Sequence, residues 1–164
     1  MPLLRVALRL RPRPEAGFDR RVRLLVRRAE EARQRRVRAE REDPPIAEDL
    51  FHLGIDVLTT GNHLWDKKDV LPYIRESTAL LRPANFPAGV PGRGSGVFTA
   101  RGGVRIGVVN LMGRLFMKDL DCPFRVGERL VETIRAETPI VFVDFHAEAT
   151  SEKQALGGFL DGRV

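Results

Sequence analysis

Three short runs rich in β-branched residues, IDVLTT (55–60), VRIGVVN (104–110) and PIVFVDFH (139–146), are interleaved with stretches whose apolar residues recur at helical spacing. Alternation of these two periods predicts an α/β architecture in which helices cover the faces of the strands. The first helix is expected over IAEDLFHL, opened by Pro44-Pro45. Ile46, Leu50 and Leu53 share one face, and Gly54 is the stop. A second is expected over 69–76, and the longest over VGERLVETIRAE (126–137), with SEKQALGGFL (151–160) also helix-prone. Gly102-Gly103 between GVFTAR and VRIGVVN is a hairpin signal, and RPANFPAGVPGRGSG (82–96) reads as a surface loop. PIVFVDFH, nearly all apolar, suits a strand buried on both faces.

The alternation starts only at Pro44. Residues 1–43 hold 14 Arg, no Lys and 7 Asp or Glu, so they carry +7, whereas residues 44–164 carry −1. Phe18, Val22, Leu25, Val26, Ala29 and Ala32 sit at helical spacing within that arginine-rich segment. Three readings stand side by side: a solvated amphipathic helix, an arm that grips RNA phosphates, and a stretch that is not native to the rest, such as an out-of-frame translation. The 164 residues allow one domain, or a domain and a half. A hydrophobic share of 43% with 30% charged residues is globular composition. No apolar run approaches the ~18 residues of a membrane span. Arginines at 5, 9, 11 and 13 break up the N-terminal apolar stretch that a secretory signal would need. Cys122 is the only cysteine, which excludes an internal disulfide and fits a cytoplasmic protein.

Two of the three histidines follow strand runs. His63 comes after IDVLTT in Gly61-Asn62-His63, and His146 ends PIVFVDFH. Ligands of α/β sheets gather beyond the carboxyl ends of strands. Two imidazoles delivered there suit a metal of the iron, zinc or manganese type, with Asn62 adding a carbonyl oxygen and Asp66, Asp144 and Glu148 close in sequence. Trp65 serves equally as a packing anchor or a ligand contact. Arg114 and Lys118 are equally anion ligands or solvated charges. His52, inside a helix, has a structural or solvated role. Cys122, without a basic neighbour in DLDCPF, is expected to be inert.

The blocks GNHLWDKK, RPANFPAGVPGRG, NLMGRLFM and DFHAEATSEKQALG together resemble the YmdB-type metallophosphoesterases of the calcineurin-like superfamily. The resemblance runs from about Pro45 to Val164. It implies a sandwich of two β-sheets flanked by helices, two divalent metal ions (iron or manganese), and hydrolysis of 2′,3′-cyclic nucleotides or similar phosphodiesters. By resemblance, Asn62 and His146 are ligands of one metal and His63 is the catalytic proton donor. No residue is assigned to substrate.

Three family motifs have no counterpart here. A strand ending Gly-Asp-Val is replaced by RVALRLRPRP, and a Gly-Glu-Asn loop by RQRRVRAERE. A Gly-Thr-His-Thr-His segment would follow DGR, where this sequence ends at Val164. The expectation is therefore a partial metallophosphoesterase domain over 44–164, incomplete at both ends. It would hold at most one partial metal site, show impaired or absent activity, and tend to form a homo-oligomer through uncovered apolar faces. The alternative is a noncatalytic nucleic-acid-binding protein that uses residues 1–43.

Overall fold

A computed structural model describes residues 4–8, 46–66, 70–100 and 102–164 of the chain. The expected helix over 18–32, the Pro44-Pro45 opening and Lys67-Lys68 lie outside these residues. In chain order the elements are β1 (Leu4–Leu8), α1 (Ile46–His52), β2 (Val57–Thr60), a 3-10 turn (Leu64–Asp66), α2 (Val70–Glu76), β3 (Leu80–Leu81), β4 (Ser95–Thr99), β5 (Arg105–Met112), α3 (Pro123–Arg135), β6 (Val141–His146) and α4 (Thr150–Leu160).

The strands form two three-stranded sheets, ordered β1-β2-β3 and β4-β5-β6. In the first, β1 runs antiparallel and β3 parallel to β2. In the second, β4 and β5 form the expected hairpin, whose turn uses Gly102 (φ 99°) and Gly103 (φ 81°), and β6 lies parallel to β5. Backbone in that left-handed region favours glycine because no Cβ clashes there. Gly54 does the same after α1 at φ 83°. The chain turns before Leu53 can join the apolar face of α1. Leu53 is consequently 56% exposed, whereas Ala47 and Leu50 are buried.

Strand alternation sorts the side chains into layers. Leu58 and Leu80 face α1, the 3-10 turn and α2, packing with Ala47, Leu50, Ile55, Leu64 and Ile74. Val109, Leu111 and Val141 face α3 and α4, packing with Val126, Val131, Ile134, Leu156 and Leu160. Between the sheets lie Val57, Leu81 and Val108, with Phe98, Ile106 and Phe142 against them. The molecule is thus α/β, two sheets back to back with helices on both outer faces, as expected. α3 begins at Pro123, three residues earlier than expected. Proline suits that first turn, where its missing N–H is no loss.

β6 departs from the expectation of full burial. Only Val141 and Asp144 of its six residues are buried. Its apolar composition is that of a central strand, but β5 is its neighbour on one side alone among the described strands. The 82–96 loop is held by Arg82, whose guanidinium donates to the carbonyls of Pro83 (2.8 Å), Pro91 (3.1 Å) and Val90 (3.3 Å). Burial pushes the Arg82 pKa down.

Candidate metal and phosphodiester site

The inter-sheet layer changes character along the strands. It starts apolar at Val57, Val108 and Phe142. One step further it is polar: buried Thr59 donates its hydroxyl to Asp144 Oδ2 at 2.7 Å. Asn110, fully buried, donates its Nδ2 to the carbonyls of Thr60 (2.8 Å) and Leu81 (2.9 Å). Beyond Thr60 the chain turns through Gly61 to Asn62 and His63, while β6 ends at His146.

There the two sheets meet again. His146 Nε2 lies 2.9 Å from Asn62 Oδ1, joining residues 84 apart in sequence. Amide oxygens only accept, so the imidazole donates from Nε2 in this arrangement. The neighbouring His63 turns to its own loop, with Nδ1 2.7 Å from Asp66 Oδ2. Since a carboxylate also only accepts, Nδ1 carries the proton, and Nε2 takes no part in the Asp66 contact.

An imidazole nitrogen and an amide oxygen are good donors for iron or manganese. Two donors ~2.1 Å from one ion at a right angle lie about 3 Å apart, which the Asn62–His146 spacing matches. With the ring proton moved from Nε2 to Nδ1, the pair therefore fits part of one ion's shell. It does not suffice for two ions. Among the described residues no group of three or more His, Cys, Asp or Glu side chains is arranged to hold a metal.

The other candidates are engaged differently or exposed. Asp144 is engaged by Thr59, and Glu148 is exposed. Trp65 packs edge-to-face on Phe86, with ring centres 5.9 Å apart, as an anchor would. Arg114 pairs with Asp119 at 2.8 Å, and Lys118 is exposed. Arg114 and Cys122 line an open groove of about 620 Å³ beside the first turns of α3 and α4. The premise that Cys122 has no basic neighbour is corrected here: Arg125 lies three residues on, in the first turn of α3. The backbone N–H of Arg125 lowers the thiol's pKa, with smaller help from Phe124 N–H and the Arg125 side chain, against the opposing effect of burial.

Sequence reasoning missed Thr59, Asn110 and Glu152. Glu152, buried in the first turn of α4, accepts the backbone N–H of Arg114 (2.9 Å) and Leu115 (3.4 Å). Gly113 packs so closely on it that a Cβ there would meet Glu152 Oε2 and Ala147 Cβ. The Gly113 N–H donates to the His146 carbonyl at 2.7 Å, so this junction holds the end of β6. The signal available in the sequence was polarity inside buried strand patterns, at TT and at VVN.

The family described as YmdB-like protein matches residues 21–164, beginning within the arginine-rich segment. A 2′,3′-cyclic-nucleotide 2′-phosphodiesterase of Bacillus subtilis (strain 168) is 47% identical over 119 residues, covering 73% of this chain and 45% of the relative. A hypothetical protein of Thermus thermophilus has a solved structure similar at TM-score 0.69 and 37% identity, covering 85% of this chain and 59% of that one. The structure of a novel phosphatase of Mycoplasma pneumoniae is similar at TM-score 0.63 and 33% identity, covering 72% and 43%. The chain thus spans less than half the length of the curated relative. None of the described helices is long and apolar enough to cross a membrane.

Proposed function

The chain belongs to the YmdB-like protein family, and we propose that it carries one face of a metal-dependent phosphodiesterase centre acting on 2′,3′-cyclic nucleotides or similar phosphodiesters. The observation that supports this best is the 2.9 Å approach of Asn62 to His146 from opposite sheets. These two residues would hold one iron or manganese ion. Bound divalent ions would polarise the phosphoryl group and activate water. His63 as the imidazolium, its Nδ1–H held by Asp66, would give its Nε2 proton to the leaving alkoxide.

Turnover by this chain is expected to be small or absent. Two cations a few ångströms apart repel strongly, and the offset needs a bridging carboxylate and further ligands. The described residues supply only Asn62 and His146. We place the protein in the cytoplasm, as its single cysteine suits. The alternative of RNA binding through residues 1–43 is supported by their charge alone.

The test is hydrolysis of 2′,3′-cyclic AMP and bis-p-nitrophenyl phosphate with added manganese or iron, beside His63→Ala, with manganese uptake measured beside His146→Ala. Uptake that depends on His146, with turnover near the metal-only blank, is the expected result. Clear turnover lost in His63→Ala would mean that replacement ligands are recruited and would overturn the expected weakness. Uptake indifferent to His146 would remove the site.

A further inference from the structure

We infer that Thr59, Asn110 and Asp144 form a polar seam between the two sheets that sets the separation of Asn62 and His146, making these three the positioning residues of that pair. Thr59 lies three residues before Asn62, and Asp144 lies two before His146. Asn110 is the register partner of Asp144 across β5 and β6, one pleat from the Met112–His146 partners. Asn110 also donates to Thr60 and Leu81, at the ends of β2 and β3 from which the Gly61-Asn62-His63 turn departs. Thr60 adds a bond from its hydroxyl to the Leu81 carbonyl at 3.0 Å.

The rest of this layer is apolar, and apolar contacts do not fix how far one sheet slides on the other. Directional bonds of 2.7–2.9 Å between buried groups do. Placing polar side chains here is costly unless they are bonded, and Asn110 Oδ1 stays buried with no partner among the described residues. A cost of that kind, borne next to the contact between Asn62 and His146, is accounted for by registry. The spacing claim is geometric. Its importance for metal binding rests on the function proposed above.

The experiment is nitrogen-15 NMR of the full chain, following the His146 ring nitrogens and the Asn62 side-chain amide, with manganese chloride as the probe. Thr59→Val removes the hydroxyl at nearly constant volume. It should keep a dispersed amide fingerprint, move both side-chain signals, and weaken manganese broadening of the His146 ring about tenfold. Thr59→Ser, which keeps the hydroxyl, should restore all three. Asp144→Ala, which removes the acceptor, tests the other end of the bond if Thr59→Val does not fold. Unmoved His146 and Asn62 signals in a folded variant, or a Thr59→Ser that behaves like Thr59→Val, would overturn the seam. Moved signals with no manganese broadening even in the wild type would uphold the seam and sink the metal site instead.

Discussion

Asn85 and Met112 exchange two hydrogen bonds, side chain to backbone: Nδ2 donates to the Met112 carbonyl at 2.7 Å, and the Met112 N–H donates to Oδ1 at 2.9 Å. The amide thus acts as a substitute strand partner at the end of β5, and its second N–H reaches the Asp121 carbonyl at 3.0 Å. Both residues are fully buried. Asn85→Ala would leave backbone groups unsatisfied, each worth about 1–3 kcal/mol. The expected loss is about 2–4 kcal/mol by urea denaturation. Asn85→Asp should be no better, because it turns an oxygen toward two carbonyls. A loss under about 0.5 kcal/mol in either would refute the strand-partner role.

Gly113→Ala places a methyl group against Glu152 Oε2 and the Ala147 Cβ. Overpacking of this kind costs about 1–3 kcal/mol. Thermal melting should show the drop, while Gly157→Ala, whose Cβ would meet nothing within 4 Å, should show none.

Phe116 stands 91% exposed at φ 61°, so its side chain gains little from burial while its backbone is strained. Phe116→Gly relieves a left-handed conformation that costs a non-glycine residue about 1–2 kcal/mol, against the greater chain entropy of glycine. A net gain of up to about 1 kcal/mol is expected in the denaturation midpoint. Destabilisation would show that the strain relieved is smaller than the chain entropy glycine adds.

Cys122 should react with iodoacetamide with a midpoint below that of an ordinary thiol, since the Arg125 backbone N–H favours the thiolate. For a depressed acid the sign is fixed. Its contribution to folding is present above the unfolded thiol pKa and is lost as pH falls through the folded value. Arg125→Ala should raise the midpoint only part of the way, because the backbone N–H stays. An unchanged midpoint against the unfolded chain would contradict the assignment.

The helices and the β4–β5 hairpin were legible because apolar spacing, Gly54 and Gly102-Gly103 act through local geometry; the start of α3 at Pro123 was a local signal left unread. Where Leu53 departs, the cause is equally local: the turn at Gly54 comes one residue too soon. β6 was harder, since its apolar run reports composition and its burial depends on how many strands flank it. The convergence of Asn62 and His146 was legible from their place after strands and from family blocks. Thr59, Asn110 and Glu152 were not, because a hydroxyl, an amide or a carboxylate in a pattern does not say which distant backbone or side chain it will meet.

The Thr59–Asp144 bond spans 85 residues of sequence. Closing so long a loop gives up chain entropy before the bond contributes anything, and contacts of this kind are intrinsically slow to form. Each sheet contains a parallel pair that itself requires a long crossover. The Asn62–His146 contact, drawn from both sheets, therefore exists only once the two have docked. An intermediate with one sheet formed and the other still loose presents an isolated asparagine or an isolated histidine, without the contact between them. The metal site proposed on this pair would arrive in one step, when the sheets dock.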